Sequence, residues 1–418
     1  MILAVASFGC RSSDPLPDVV LIGFDTLRQD HVGVAGGEAT SLTPNIDRIL
    51  DGSLVFDRHQ SCASWTYASM ICLLSGASTL DVGFDPQVGQ SFSREALDPT
   101  TPLLPNWLGD AGYTSVLVSA NQVISEGTGL AGGYDEFALF ESAPADKVVE
   151  ALLGRIPARG PRLLHAHFMD PHLPYDAPDR YVDHIDANPY IDLSTTAGVQ
   201  QLERDLDTMP TDTRDALLRE VQARYRAEVG YLDDAVGRLW EELDAYGLLD
   251  NAVVVLYSDH GEQIADHSHV IGHGHSMYRE EQRAIAAFRG PGVPVGRMQV
   301  TTGHADVAPT LLQFLGLHTP PGTTGTALPT EDAPRLGHIS CADERHCLPL
   351  HLIVTEDWRM HYTWEGKSRL FEASDIGEQV DRYDEEPEVA EELWGVLMPE
   401  IERFADYHGL EVPDDVGP

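Results

Sequence analysis

The amino-acid sequence predicts an α/β fold with a mostly parallel central sheet, helices on both faces of that sheet, and a small C-terminal α+β subdomain. Three apolar runs rich in β-branched residues, at 18–26, 162–172 and 251–262, each end in a polar cluster, as buried parallel strands do. Helical patterns separate these runs along the chain. Strands that alternate with helices form a mostly parallel sheet.

Each predicted element follows from its local pattern. In chain order, the predicted elements are strand 18–26, helix 102–112, strand 113–121, strand 162–172, the long amphipathic helix 215–247 and strand 251–262. Beyond residue 330 the composition shifts: 338–375 predicts short antiparallel strands, and 386–407 predicts one closing amphipathic helix. We therefore expect a signal remnant and linker at 1–16, a catalytic domain at 17–330 and a C-terminal subdomain at 331–418.

The charge of the chain excludes one class of partner. The formal net charge is −40, from 67 acidic and 27 basic residues, and the acids are spread along the whole length. Such a surface repels polyphosphate, so nucleic acid is not expected as a partner. Uniform acidity also fits a heavily solvated surface in a salty environment, an interpretation that we prefer to a calcium-rich function.

The N-terminal sequence MILAVASFGC resembles the end of a bacterial lipoprotein signal, with Cys10 as the lipidated residue. This predicts export to the cell envelope or periplasm and membrane anchoring through Cys10. The alternative is that these residues are an N-terminal overhang with no targeting role. The other cysteines form an even set that is compatible with disulfides in an oxidising compartment: Cys62, Cys72, Cys341 and Cys347.

Acidic side chains and histidines stand where three predicted strands end. These residues are Asp25, Asp170 with His172, and Asp259 with His260. In parallel sheets, ligands bind beyond the carboxyl ends of the strands, so we expect a metal site there. The alternative for any single aspartate is a cap on a turn. A mixture of carboxylate and imidazole suits zinc or manganese, whereas calcium prefers oxygen ligands alone.

Further histidines crowd the segment DHSHVIGHGH, and the alternative is a merely solvated loop. Its members are His267, His269, His273 and His275, of which His269 and His275 are better interpreted as loop residues. His172, in DPHLPY, is a candidate to hydrogen-bond a substrate oxyanion or to donate to a leaving group; its alternative is a structural histidine between prolines. Asp170, His172 and His273 are together a candidate second metal site.

The segment SWTYASMICLLSG predicts a helix that begins at Thr66 or Tyr67 and stops at Gly76. A hydroxyl at this position feels the positive end of the helix dipole, and a coordinated metal would lower its pKa further. Thr66 is therefore a candidate nucleophile toward phosphorus or sulfur. The alternative is that Thr66 only caps the helix.

A set of motifs in a fixed order identifies a family. They are PDVVLIGFDTLRQDHVG, LTPNIDRI with the following GSLVF, SWTYASMICLLSG, LPNWLGDAGYTSVLVSAN, HFMDPHLPY, YRAEVGYLDDAVGRL, VVVLYSDHGEQIADHSHVIGHGHSMYREE and HADVAPTLLQFLG. Over residues 17–385 the chain resembles the sulfatase family of the alkaline-phosphatase-like superfamily, which implies that fold. The resemblance implies a metal set of Asp25, Thr66, Asp259 and His260. It places His172 and His273 around the transferred group, leaves His267 without a fixed role, and makes Asp306 structural.

Two departures from the family pattern bear on the chemistry. Sulfatases carry a Cys or Ser at position 66, which is oxidised to formylglycine under the direction of a Cys/Ser-x-Pro/Ala-x-Arg motif. Thr66 is a secondary alcohol that cannot give an aldehyde, and Met70 stands where the Arg would be, so no formylglycine is expected. Thr26 replaces a second metal-binding Asp, and His260 a frequent Asn, which favours zinc or manganese while leaving calcium as an option.

A threonine nucleophile beside such a metal site resembles superfamily members that act on phosphorus. The prediction is a metal-dependent hydrolase or transferase of phosphate or sulfate esters, with phosphoesters favoured and Thr66 as the nucleophile. Its substrate would be a small-molecule, glycan or lipid ester. The alternatives are a sulfuric ester hydrolase that works without formylglycine and a non-catalytic envelope binding protein.

Overall fold

The computed structural model describes residues 15–33, 42–87, 96–185, 188, 191–267, 270–340, 349–364, 366–413 and 417. The predictions made for four residues lie outside this part of the chain: Cys10, His269, Cys341 and Cys347.

Fourteen strands lie within the described residues. They are β1 (Asp18–Phe24), β2 (Leu54–Gln60), β3 (Thr114–Ser119), β4 (Glu136–Leu139), β5 (Arg162–Phe168), β6 (Ala252–Ser258), β7 (Gln263–Ile264), β8 (Ile271–Gly272), β9 (Ala286–Arg289), β10 (Gly296–Gly303), β11 (Arg335–Ile339), β12 (Leu350–Val354), β13 (Trp358–Thr363) and β14 (Lys367–Glu372).

The α-helices of the same part of the chain range from single turns to one of 35 residues. They are α1 (Pro44–Asp51), α2 (Thr66–Ser75), α3 (Thr79–Val82), α4 (Leu104–Asp110), α5 (Ala145–Leu153), α6 (Asp179–Val182), α7 (Thr196–Asp205), α8 (Thr211–Ala245), α9 (Arg279–Gln282), α10 (Val307–Phe314) and α11 (Pro387–His408).

The large sheet confirms the predicted mostly parallel α/β fold. Its strand order among the described residues is β10-β2-β9-β6-β1-β5-β3-β4. β6, β1, β5, β3 and β4 run parallel to one another, and β9 is antiparallel to both of its neighbours. In this register Phe24 lies opposite Phe168 and Ser258, so the residues that follow β1 and β6 emerge side by side.

Helices cover both faces of this sheet. On β1, Val20 and Ile22 belong to one apolar cluster, which packs against α1, α5 and α8, while Val19 and Leu21 belong to another, which contains residues of α2, α4 and α10. Side chains alternate between the two faces of a strand, so an apolar run without polar interruption is buried on both sides. This explains the continuous apolar composition of 19–24.

The C-terminal part has the predicted antiparallel strands and closing helix. The sheet β11-β12-β13-β14 is antiparallel throughout, and α11 packs on it through Trp394, Leu397 and Ile401. Our placement of the boundary at residue 330 stays a prediction; β11 begins at Arg335. No helix in the described part of the chain combines the length and the apolar character needed to cross a bilayer.

Candidate active site

The candidate site lies beyond the carboxyl ends of β1 and β6. Asp25 directly follows β1, and Asp259 and His260 directly follow β6. All three side chains are fully buried. The first residue of α2, Thr66, faces them from the other side. The parallel register of β1 and β6 therefore brings together residues that are more than 230 positions apart in sequence.

Each of the two aspartates has one satisfied and one unsatisfied oxygen. Oδ1 of Asp259 accepts hydrogen bonds from the backbone N–H groups of Thr26 (3.1 Å) and His260 (2.8 Å). Oδ2 of Asp25 accepts one from Nδ2 of Asn121 (2.5 Å). Oδ2 of Asp259 and Oδ1 of Asp25 have no hydrogen-bond partner. Burial raises the pKa of Asp259 to about 6, and burial together with the charge of Asp259 raises the pKa of Asp25.

His260 presents a lone pair to these unsatisfied oxygens. Its Nδ1 lies 2.8 Å from the carbonyl oxygen of Gly261, so this nitrogen carries the proton and Nε2 of the neutral ring does not. Nε2 lies 3.5 Å from Oδ2 of Asp259 and 3.9 Å from Oδ1 of Asp25. Three electron-rich atoms that converge in a buried place repel one another unless a cation lies among them.

This arrangement fits a divalent metal. The ligand atoms of Asp25, Asp259 and His260 lie within 4.8 Å of one another. The hydrogen bond from Nδ1 of His260 to a backbone carbonyl is the kind that orients a metal-binding imidazole. Two carboxylates and one imidazole are compatible with zinc or manganese, and calcium would use the carboxylates.

Thr66 occupies the first helical position of α2, and Trp65 is the N-cap residue. Its Oγ1 accepts a hydrogen bond from Nδ2 of Asn121 (3.2 Å) and lies 3.4 Å from Nε2 of His260. The hydroxyl thus faces the aspartate and histidine group, and no side-chain hydrogen bond caps the N-terminus of α2. The alternative of a simple capping threonine does not describe this geometry.

Three imidazoles form a row beside the aspartates. The ring of His273 lies between those of His260 (centroids 4.5 Å apart) and His172 (4.9 Å apart). Nδ1 of His273 lies 3.1 Å from Oε1 of Glu262, and Nδ1 of His172 bonds the carbonyl oxygen of Leu173. Because both of these contacts use Nδ1, Nε2 of each ring is left for other partners. His172 and His273 are half-buried, so these rings border both the buried aspartates and the open space beyond them.

The predicted second metal set of Asp170, His172 and His273 is not brought together. The carboxyl group of Asp170 instead lies beside that of Glu228, and burial raises the pKa of both groups. Among the described residues, the groups with metal-ligand spacing are Asp25, Asp259 and His260, and separately His267, Glu280 and Glu378. β5 ends at Phe168, two residues before Asp170, so the turn that follows the strand, and not the strand itself, sets the direction of the Asp170 side chain.

The remaining candidates have structural surroundings. His267 lies 3.2 Å from Glu280 and stacks on Tyr278 (centroids 3.8 Å apart), outside the group around Thr66. His275 is exposed. The carboxylate of Asp306 accepts hydrogen bonds from the backbone N–H groups of Gly303 and Thr326 and pairs with Arg335 (3.0 Å), which fits its predicted structural role.

Several polar residues that support the site were missed by the sequence analysis. Asn121 follows β3 and links Asp25 to Thr66. Glu262 orients His273. Ser69 and His304 both donate to the carbonyl oxygen of Asp259 (2.5 and 2.7 Å). The signal for Asn121 was present, because it is a polar residue at the end of an apolar strand, just as Asp25 is. No sequence pattern predicts the hydrogen bonds of Ser69 and His304.

Cys62 and Cys72 form a disulfide that spans the turn into α2. Cys62 precedes Thr66 by four residues and Cys72 lies within the helix. Gly76, which follows the helix, adopts a left-handed conformation (φ 65°) and donates its N–H to the carbonyl oxygen of Cys72. The bridge and the glycine cap together fix both ends of the segment that carries Thr66.

Comparison with known proteins bears on the family and the fold of this chain. The family model described as Sulfatase matches residues 17–317. An arylsulfatase of Clostridium perfringens is 22% identical over 320 residues, which cover 60% of this chain and 64% of that protein. The alignments with the first three curated relatives span 22%, 35% and 64% of their lengths, so the chain matches less than two thirds of each.

Solved structures share the fold. A protein solved in complex with its substrate D-glucosamine-2-N,6-O-disulfate has a TM-score of 0.75 and 18% identity, over 94% of this chain and 99% of that one. A phosphonate monoester hydrolase of Agrobacterium radiobacter has a TM-score of 0.71 and 19% identity, over 94% and 96% of the two chains.

Proposed function

The chain belongs to the sulfatase family of ester-hydrolysing enzymes, and on this premise we propose that it is a metal-dependent hydrolase or transferase of phosphate or sulfate esters, with phosphoesters favoured. The nucleophile in this proposal is Thr66. The observation that carries it is the position of the Thr66 hydroxyl, 3.4 Å from Nε2 of His260 and hydrogen-bonded through Asn121 to Asp25.

The proposed metal ligands are Asp25, Asp259, His260 and Thr66 itself. Two unpartnered carboxylate oxygens and an imidazole lone pair that converge on one buried point support a cation there. A bound divalent ion, for which zinc or manganese is favoured, would supply positive charge that lowers the pKa of the Thr66 hydroxyl and offsets charge developing on the transferred group.

In the proposed reaction, Oγ1 of Thr66 attacks the phosphorus or sulfur atom in line with the leaving oxygen. The new bond joins Oγ1 to that atom, the bond to the leaving group breaks, and the leaving oxygen takes up a proton while the hydroxyl proton passes to solvent. Water, or an alcohol in a transferase, then releases the group from Thr66. His172 and His273 are proposed to hydrogen-bond the non-bridging oxygens or the leaving group.

The test is a substrate panel run with the wild type, Thr66→Ala and Thr66→Ser. The panel contains an aryl phosphate, an aryl phosphodiester and an aryl sulfate. We expect phosphoester turnover that falls at least about 10³-fold in Thr66→Ala and is largely kept in Thr66→Ser, which retains a hydroxyl. Intact mass spectrometry of acid-quenched reactions should show a phosphorylated wild-type chain. Full activity of Thr66→Ala would remove the nucleophile from the proposal.

The same panel decides between the proposal and its first alternative. A sulfate monoester carries a single negative charge, and the absence of an arginine at position 70 makes the vicinity of Thr66 less cationic than the family pattern. Turnover of the aryl sulfate alone would therefore identify a sulfatase that works without formylglycine. Elemental analysis that finds no bound metal, with no turnover after metals are restored, would favour the non-catalytic binding protein.

Export and lipid attachment at Cys10 are a separate proposal. They rest on the N-terminal sequence alone. The test is mass spectrometry of the N-terminal peptide from a bacterial membrane fraction, where diacylglycerol on Cys10 is the expected result. An unmodified Cys10 in the mature chain would contradict it.

A further inference from the structure

A second cavity lies away from the candidate active site. It has a volume of about 800 Å³ and is bordered by strand β10 at the edge of the large sheet, the neighbouring strand β2, the segment around α9, and residues 354–359 and 372–374 of the C-terminal sheet. We call it the arginine cavity, after five residues that line it: Arg58, Arg279, Arg283, Arg297 and Arg359. Neither Thr66 nor any of the residues proposed to bind metal beside it lines this cavity.

The charge of this cavity differs from that of the chain. The sequence contains only 25 arginines and two lysines against 67 acidic residues. Five of those arginines meet here, and the carboxylates that line the same cavity are four: Asp57, Glu356, Asp357 and Glu372. With Glu378, which pairs with Arg359, guanidinium and carboxylate groups are equal in number here, whereas the whole sequence has 67 acidic against 27 basic residues. This place therefore repels anions less than the rest of the molecule does.

Three of the five arginines are already paired. Arg297 forms an ion pair with Asp57, with Nε 2.9 Å from Oδ2. Arg359 is buried and donates to Glu378 (2.5 Å) and to Gln60 (2.9 Å). Arg58 lies 3.7 Å from Glu356. These three residues build the walls of the cavity and do not require a further ligand.

Arg279 and Arg283 lack such partners. Within the described residues neither forms an ion pair with a carboxylate, and each donates from Nη2 only to a backbone carbonyl, of Ala373 (2.7 Å) and Asp57 (2.6 Å) respectively. The Nε–H of each guanidinium is buried without a hydrogen-bond acceptor. Burial and neighbouring guanidinium charges lower the pKa of each residue to about 10. These two half-buried guanidinium groups therefore have unused donors and no carboxylate paired directly with them.

We propose that the arginine cavity binds a tetrahedral oxyanion, phosphate or sulfate, either free or as an ester on an organic molecule, with Arg279 and Arg283 as its principal ligands. A planar guanidinium presents adjacent N–H donors that match two oxygens of such a group. The volume exceeds that of a single ion, and Trp358 adds an apolar surface to the wall, so the cavity also has room for an attached organic group.

The experiment is isothermal titration calorimetry of the metal-loaded full chain at constant ionic strength. The probes are inorganic phosphate, inorganic sulfate and glucose 6-phosphate. The variants are Arg283→Gln, Arg279→Gln and two controls: Arg289→Gln, a half-buried arginine that does not line the cavity, and Asp259→Asn, in the candidate active site. We expect saturable binding that weakens at least 10-fold in Arg283→Gln and Arg279→Gln and is kept in both controls.

The outcomes separate this site from the proposed function, because Asp259→Asn alters only the site around Thr66 and Arg283→Gln alters only the arginine cavity. Tighter binding of glucose 6-phosphate than of inorganic phosphate would identify an ester as the ligand, and equal affinities would identify the free anion. Binding lost in Asp259→Asn but kept in Arg283→Gln would put the anion beside Thr66 and overturn the proposal, as would no saturable binding of any probe. Circular dichroism checks folding; if Arg283→Gln does not fold, Arg279→Gln carries the test.

Discussion

Thr66 differs from the other hydroxyl and thiol groups of its segment in what its side chain contacts. Ser69, one turn later, donates its hydroxyl to the carbonyl oxygen of Asp259. Cys62 and Cys72 are bonded to each other. Only the Thr66 hydroxyl faces His260 and shares the amide donor of Asn121 with Asp25. Position relative to the strand ends therefore separates Thr66 from neighbours of similar chemistry.

Asn121 offers the sharpest test at the scale of one residue. Its Nδ2 donates to both Asp25 and Thr66, so Asn121→Ala removes the donor that orients the carboxylate toward the proposed metal. We expect a fall of about 10- to 100-fold in metal affinity and in kcat, without loss of folding. Metal titration and steady-state kinetics measure the two effects. As a control, Asn106→Ala removes an amide that caps α4 and should leave both values unchanged.

A twofold change or less in Asn121→Ala would show that Asp25 and Thr66 keep their orientation without it. Loss of kcat with unchanged metal affinity would assign Asn121 to the orientation of Thr66 alone.

At this scale the sequence predicts which residues lie at the strand ends better than it predicts the directions of their side chains. Asp25, Asp259 and His260 follow strands that are adjacent in the sheet, and parallel register fixes where their backbones emerge. Asp170 follows β5, also a neighbour of β1, yet its carboxyl group lies beside that of Glu228 on α8 and not with Asp25 and Asp259. Which way a side chain points beyond a strand depends on the turn that follows, and this depends on contacts distant in sequence.

At the scale of secondary structure, periodicity predicted the elements whose apolar residues face the core. β1, β3, β5, β6 and α8 all lie within the predicted ranges or within four residues of them. The predicted strand ends extended too far, to 172 and 262, because the polar residues there form turns. The edge of the sheet built from β2, β9 and β10 had no strong pattern, since β10 is largely exposed before Thr301 and β9 has only four residues.

The disulfide makes the position of α2 sensitive to redox conditions. The bridge between Cys62 and Cys72 closes a short loop that contains Thr66, and its removal is expected to cost about 3 kcal/mol through the greater freedom of the unfolded chain. We expect the double variant Cys62→Ser with Cys72→Ser to melt at a lower temperature and to have reduced kcat. Differential scanning calorimetry and kinetics test both effects.

Reduced wild-type protein is the matched control, because it should behave like the reduced double variant, and the double variant should respond less to dithiothreitol than the wild type does. An equal melting temperature for the wild type with and without dithiothreitol would contradict a stabilising role of the bridge.

The net charge acts at the scale of the whole molecule. A charge of −40 makes the folded state repel itself, and salt screens this repulsion over about 10 Å at 0.1 M and about 3 Å at 1 M. We therefore expect the melting temperature to rise as the NaCl concentration increases from about 0.05 M to about 1 M. Sucrose at equal osmolality is the control. A flat or falling melting temperature in NaCl would show that the acidic groups lie too far apart to destabilise the fold.

A buried cluster joins the C-terminal subdomain to the large one. Asp85, which follows α3, accepts hydrogen bonds at Oδ1 from Nε2 of His338 on β11 (2.8 Å) and at Oδ2 from Nε2 of His408 on α11 (2.7 Å). Burial alone would raise the pKa of Asp85, but the charge of His338 and the hydrogen bonds hold it well below its usual range. Burial alone would lower the pKa of His338, but Asp85 raises it.

The two pKa shifts set the pH range in which this cluster stabilises the protein. The lowered pKa of Asp85 gives stability that is present above the usual carboxylate pKa of about 4 and is lost as the pH falls further. The raised pKa of His338 gives stability that is complete below the usual histidine pKa of about 6.5 and is lost as the pH rises through the raised value. The ion pair is therefore fully effective between about pH 4 and 6.5.

Asp85→Asn should accordingly destabilise the fold most in mildly acidic solution. We expect a loss of about 3 kcal/mol near about pH 5.5, since removing one member of a buried ion pair leaves the other uncompensated. The loss should be smaller near about pH 8.5, because the stability that the raised pKa of His338 gives is lost as the pH rises. Urea denaturation at the two pH values measures the difference. Glu385→Gln, which breaks the exposed pair with Arg382, is the control and should cost less than about 1 kcal/mol at either pH. A loss that is the same at both pH values would mean that hydrogen bonds to Asp85, and not the charge of His338, hold the two parts of the chain together.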